Sequence, residues 1–162
     1  MIREPLAPGT QIGHVHLRVA DLDRSLQFYE GVLGFRVRLR LGDDAAFLAA
    51  DDYHHDLALN TWHSRGGSAP APGSTGLHHV AIRLPSRQAL KDAVRQMDGH
   101  GISFSGANEY GFAQSVYVED PDGNGIELTW DRPPEEWPRT ADGQPRHDPP
   151  KPIDVQTFLE DI

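Results

Sequence analysis

Two short stretches of the chain carry the same alternation of polar and apolar positions. Gly13-His14-Val15-His16-Leu17-Arg18-Val19 lies over His78-His79-Val80-Ala81-Ile82-Arg83-Leu84 at an offset of 65 residues, and period-two alternation predicts strands with one buried face. Each stretch leads into a segment with the 3.6-residue period of an amphipathic helix. In the first, Leu22, Leu26, Tyr29 and Leu33 fall on one stripe, with Asp21 placed as N-cap and Gly34 as stop. In the second, Ser86 is the cap, Ala89, Leu90, Ala93, Val94 and Met97 form the buried face, and Gly99 ends it. Strand-like runs follow each helix: residues 35–41, 45–50 and 57–62, then 102–105, 115–119 and 126–130.

Each half therefore reads βαβββ. One helix covers only one face of a module's sheet, so the expected class is α+β, two βαβββ modules forming a curved mixed sheet around a cavity. Module one spans 10–62, a Gly/Pro/Ser-rich linker 63–76, and module two 77–130, so that 1–130 form one domain. Residues 131–162 form a Pro-rich C-terminal extension. It is expected to be irregular to residue 152 and amphipathic over 153–162, with Val155, Phe158, Leu159 and Ile162 available to dock back.

Composition narrows the chemistry. A chain of 162 residues suits one domain, and its formal net charge of −9 argues against nucleic acid or an anionic membrane as partner. A small-molecule substrate is expected. With no cysteine there is no disulfide, thiolate nucleophile or Cys-ligated metal, so any metal must be held by His and carboxylate. No run approaches the about 18 apolar residues of a membrane span, and the opening MIREPLAPGT lacks a signal peptide's apolar core. The expected location is the cytoplasm.

The repeat makes His14 and His79 equivalent, and alternation puts His14 and His16 on one face. Glu127 stands between Ile126 and Leu128, where a carboxylate needs a partner. Should the halves curl together, His14, His79 and Glu127 would form two imidazoles and a carboxylate around a metal with open positions. Laying Leu57-Ala58-Leu59 over Ile126-Glu127-Leu128 makes Ala58 the first-half counterpart of Glu127. Asp120-Pro121-Asp122-Gly123-Asn124-Gly125 reads as a turn that aims Glu127.

These residues resemble the vicinal oxygen chelate superfamily of glyoxalase I, bleomycin-resistance proteins and type I extradiol dioxygenases, over about residues 10–130. The resemblance implies His14, His79 and Glu127 as metal ligands. Ala58 replaces an acidic ligand of glyoxalase I, which fits the three-ligand extradiol enzymes. The chain is most similar to catechol 2,3-dioxygenase-like members, through YHHDLALNTW, GLHHVAIRL and SVYVEDPDGNGIEL.

By that similarity His55 is the acid–base histidine and Tyr117 the tyrosine that hydrogen-bonds the substrate. The resemblance implies Fe(II), with Mn(II), Ni(II) or Zn(II) as alternatives, a catechol-type substrate and a homodimer. The pattern's further histidine is here Tyr110, and a phenol of pKa about 10 does not replace an imidazole in proton transfer at neutral pH. Tyr110 is accordingly a substrate-binding candidate, as is His16 on the face of His14. Two rivals follow: a metal-dependent lyase, isomerase or epimerase, and a resistance-type binder without turnover.

Overall fold

The computed structural model describes residues 6–160. Ile162, expected to help dock the tail, lies outside them. Module one runs β1 (Val15–Arg18), α1 (Leu22–Leu26, continued by a π-helix over Gln27–Val32), β2 (Arg36–Leu41), β3 (Ala45–Ala49) and β4 (Leu57–Asn60). Module two repeats it as β5 (Val80–Arg83), α2 (Arg87–Gly99), β6 (Phe104–Glu109), β7 (Ala113–Glu119) and β8 (Gly125–Asp131). Hydrogen bonding divides the strands into two sheets, one per module, in the orders β1-β4-β3-β2 and β5-β8-β7-β6. No ladder joins the two sheets among the described residues; each βαβββ module carries its own mixed sheet, and the α+β class of two such modules is as expected.

Helix α1 departs from its predicted period. It is α-helical over Leu22–Leu26 and widens to a π-helix over Gln27–Val32, with the Leu33 amide bonded to the Phe28 carbonyl at 2.9 Å. The wider turn rotates the stripe, so Phe28 and Tyr29 are both buried while Leu33 is only half-buried. The Asp21 side chain accepts from the Arg24 amide and the Ser86 side chain from the Ala89 amide, as their spacing predicted.

One apolar core joins the modules, with Leu17, Leu22, Tyr29, Leu48 and Leu59 from the first and Leu90, Val94, Met97, Ile126 and Leu128 from the second. A polar clasp crosses the same junction. Tyr29 Oη donates to Asp120 Oδ2 at 2.8 Å, the Ala20 amide to Asp122 Oδ2 at 3.1 Å, and Arg24 pairs with Asp122. Burial and then the Asp120 charge push the Tyr29 phenol above its ordinary range, so it remains a donor.

The extension is more ordered than its composition suggests. A two-residue strand β9 (Lys151–Pro152) pairs with β6, and α3 (Val155–Glu160) buries Phe158 beneath Arg87 and Lys91 of α2. Where the extension leaves β8, Arg132 bonds Glu109 Oε2 at 2.8 Å. Burial alone would raise the Glu109 carboxyl, but hydrogen bonds from Arg132, Gln114 and the Gly111 amide hold it below the ordinary carboxylate range.

A carboxyl with a lowered folded pKa stabilises above its unfolded pKa and loses that contribution as pH falls through the folded value. Glu109→Gln is therefore expected to cost about 1–3 kcal/mol at pH 7, because Arg132 loses the nearer of its two carboxylate partners and keeps only Glu136 at 3.6 Å. The difference should shrink below about pH 4 as the wild-type carboxyl protonates. Urea titrations of both proteins at pH 7 and pH 3.5 check this, and an equal gap at both pH values would contradict it.

Candidate active site

Strand register decides which residues share a face, because directly opposed residues point the same way. In module two, Ala81 is paired with Glu127, Glu127 with Tyr117, and Tyr117 with Gly106. In module one the corresponding row is His16, Ala58, Phe47 and Leu39. Ala58 thus stands at the register position of Glu127, as the sequence repeat implied, and Phe47 at that of Tyr117. The carboxylate and the phenol belong to the module-two row; the module-one row has Ala58 and Phe47 in their places and His16 where module two has Ala81.

The module-two row makes a connected site. His79 Nε2 lies 2.9 Å from Glu127 Oε2, and Tyr117 Oη donates to Glu127 Oε1 at 3.0 Å. Tyr110 Oη is 2.7 Å from Tyr117 Oη, and Asn108 Nδ2 donates to Tyr110 Oη at 3.4 Å. A phenol has one proton, so with Tyr117 donating to Glu127 the direction runs Asn108 to Tyr110 to Tyr117 to Glu127. Burial, then the hydrogen bonds with Tyr110 and Glu127, push the Tyr117 phenol above its ordinary range, and it stays protonated as a donor.

The site opens into a cleft of about 360 Å³ floored by Ser115 and Thr129 and reaching Tyr110, Phe112 and His147. The Glu127 side chain is 13% exposed and that of His79 is 32% exposed, so both face this space. The Nδ1 of His79 lies 3.1 Å from that of His78, which leaves Nε2 as the nitrogen turned to the carboxylate.

Gly125, which turn chemistry alone marks only as part of the turn at 120–125, sets the approach of β8 to this imidazole. A Cβ there would stand 2.4 Å from the His78 carbonyl oxygen and 3.1 Å from His79 Cβ. Gly125→Ala must therefore push β8 from residues 78–79 and part His79 from Glu127. The expected result is roughly 10- to 100-fold weaker metal binding, the usual cost of losing outer-shell support. Calorimetric titration measures it; unchanged affinity would mean that the strand absorbs the methyl elsewhere.

The remaining candidates sit on module one. His14 packs against His55 with 4.5 Å between ring centroids and the rings tilted by 49°, and His55 contacts Phe47 at 5.1 Å. His16 Nε2 lies 2.8 Å from Asn60 Nδ2 and its ring meets Trp62 edge-on. Burial first, then neighbouring imidazoles, lower the affinity of His16 and His55 for a proton. Both are neutral at neutral pH and able to accept.

The candidates thus fall into two groups: His79, Glu127, Tyr117 and Tyr110 in the cleft, and His14, His16 and His55 on the other module's sheet. An imidazole nitrogen and a carboxylate oxygen suit a first-row divalent cation. Among the described residues, however, no three His, Asp or Glu side chains are arranged to hold one. Within one chain the donors fit a metal only as two of three. The face bearing His14 and His16 also carries Leu39, 53% exposed, Leu41, 48%, and Trp62, 52%.

Residues 11–128 match the profile of the Glyoxalase/Bleomycin resistance protein/Dioxygenase superfamily. A catechol-2,3-dioxygenase of Bacillus subtilis is 40% identical over 83% of this chain, which spans only 46% of that protein's length. A lactoylglutathione lyase of Haemophilus influenzae is 36% identical over 73% of this chain and 90% of its own. The crystal structure of a glyoxalase/dioxygenase from Nostoc punctiforme shares the fold, with a TM-score of 0.64 at 23% identity over 82% of this chain and all of that one. No helix among the described residues is long and apolar enough to cross a membrane. The repeated βαβββ modules, the paired registers and the matched segment agree: the chain belongs to the glyoxalase/bleomycin resistance/dioxygenase superfamily.

Proposed function

We propose that the protein is a divalent-metal enzyme acting on vicinal oxygen atoms, and specifically an extradiol dioxygenase that opens a catechol-type ring with Fe(II). The observation that carries this reading is the His79–Glu127–Tyr117 cluster facing an open cleft with an aromatic end. Ala58 at the register position of Glu127 supports it over glyoxalase chemistry, since the first half then offers no carboxylate. The 40% identity to a catechol-2,3-dioxygenase supports it as well.

We propose further that the working unit is a homodimer in which His14 of one copy joins His79 and Glu127 of the other. The split of the donors between two sheets supports this, as do the exposed Leu39, Leu41 and Trp62 beside His14. Exposed apolar patches around functional groups are the usual mark of an interface. His55 packs against His14, so the two arrive together.

When bound, the metal supplies a Lewis-acidic centre that lowers the pKa of diol hydroxyls and, as iron, lets the ring react with dioxygen. The protein's part is proton handling and orientation. Tyr117, held protonated and donating to Glu127 Oε1 across the cleft wall, turns that single proton to an anionic substrate oxygen placed beside the carboxylate. Tyr110 orders Tyr117 from behind and reaches the substrate side. His55, a neutral imidazole, accepts a hydroxyl proton.

A second reading, a metal-dependent lyase or isomerase, is favoured by Tyr110 in place of the pattern's histidine and by the 36% identity to a lactoylglutathione lyase. The test is anaerobic titration with Fe(II), of the wild type and of His79→Ala, followed by oxygen uptake on catechol. One iron per site, lost in the variant, with oxygen consumption tied to ring-cleavage product is the expected result. Product formed without dioxygen would move the assignment to the lyase class. Failure of the wild type to bind iron, manganese, nickel or zinc would overturn a metal enzyme altogether.

A further inference from the structure

The C-terminal extension lies beyond the segment matched to the superfamily, which ends at residue 128, yet it reaches the cleft. It crosses module two at Gly111, whose φ of +80° suits glycine; a Cβ there would stand 2.9 Å from Pro138 Cγ. Trp137 Nε1 donates to the Arg132 carbonyl at 2.7 Å, and the Arg146 amide to the Pro138 carbonyl at 2.8 Å. Arg139 pairs with Pro145 as an isolated bridge. These bonds fold residues 138–146 into a closed loop whose end delivers His147.

The His147 ring packs edge-on against Phe112 at 5.2 Å and against Tyr110 at 5.9 Å. It lines the same cleft as His79, Tyr117 and Glu127. Arg146 and Asp148 hold each other on either side of it, with bonds of 2.7 and 3.1 Å, which orders the backbone around the imidazole. An imidazole from the extension therefore stands beside Tyr110 at the edge of the cleft.

We propose that the extension is a built-in wall of the active cleft and that His147 is a substrate-contacting residue. The ligand class is an aromatic diol whose ring lies on Phe112, with its hydroxyls toward Tyr117 and Glu127 and its far edge toward His147. This rests on the proposed catechol chemistry, and the geometry adds that the chain's own tail completes the substrate side. His147 is distant in sequence from every motif of the repeat, so it is recruited by docking alone.

The test uses the iron-loaded full chain with 4-nitrocatechol as an anaerobic binding probe and catechol as substrate. His147→Phe keeps an aromatic ring against Phe112 and Tyr110 and removes the ring nitrogens proposed to reach the diol; His147→Gln restores a polar donor. The expected result is unchanged iron stoichiometry in both. Affinity for 4-nitrocatechol should fall about tenfold in His147→Phe with a matching rise in KM, and recover partly in His147→Gln. Amide exchange across residues 139–148 should slow on adding the probe to the wild type. Wild-type affinity and KM in His147→Phe would overturn the role of His147 while leaving the catechol reading standing. A wild type that loads iron but neither binds the probe nor consumes catechol would overturn the catechol reading, and this inference with it.

Discussion

Glu127→Ala and His14→Ala are each expected to lose metal binding, and mixing the two variants is expected to restore it. Glu127 contributes a carboxylate oxygen 2.9 Å from His79 Nε2 and has no substitute nearby, since Ala58 holds the equivalent place in the other module. Even outer-shell changes cost roughly 10- to 100-fold in affinity, so loss of a donor should exceed about 100-fold. His14 packs instead against His55 in its own chain, on the other module's sheet.

If the donors come from two copies, a mixed dimer holds one site with both defects and one with none. Random reassortment of two-fold dimers makes half of them mixed, so about a quarter of the wild-type sites return. Iron stoichiometry and oxygen uptake after mixing, with subunit exchange verified by mass spectrometry, check the expectation. Exchange without recovery would show that each chain completes its own site and would sink the shared arrangement.

Asp120→Ala is expected to have the largest effect on stability. Asp120 is 5% exposed and accepts from Tyr29 Oη at 2.8 Å, from the amides of Asp122 and Asn124 at 2.8 Å each, and from Asn124 Nδ2 at 2.9 Å. Removing it orphans a buried phenol and unties the turn leading into β8. Each buried group left without a partner costs about 1–3 kcal/mol, so a total of about 3–5 kcal/mol is expected. For a chain of this size that lowers Tm by roughly 10–15 °C.

Because the turn also sets the start of β8, iron affinity should fall even well below Tm. Tyr29→Phe removes only the phenol bond and should cost about 1–2 kcal/mol with iron affinity unchanged. Differential scanning calorimetry and iron titration of both variants separate the two roles. Equal losses from both would mean that the turn holds without its carboxylate.

The site was readable in part because its grammar is short-range. His14 and His79 stand out through a repeat that needs only a few neighbouring residues to recognise, and Ala58 against Glu127 follows from the same alignment, which the registers reproduce. Tyr117 and Tyr110 were named as separate candidates; their 2.7 Å bond was not visible, because it depends on the bulge between Phe104 and Gly106 that sets the phase of β6 against β7. In the linear chain Gly125 is one more turn residue; only the folded chain brings β8 past the backbone at 78–79. The polar and proline-rich extension hid His147, whose approach to Tyr110 comes from contacts at Gly111 and Arg132.

Hydrophobic period and turn chemistry act over two to four residues, so the linear chain carries the strands, the helices, their caps and the doubling of the βαβββ unit. It also carries the inventory of possible ligands, since an absence of cysteine and a pair of equivalent histidines need no coordinates to be seen. Tertiary structure decided how the modules meet: a buried Tyr29–Asp120 bond and a common core join them in a way that leaves His14 on one sheet and His79 with Glu127 on the other. Such contacts depend on shape and burial summed across about a hundred residues of separation, as between Tyr29 and Asp120, where no local pattern reaches.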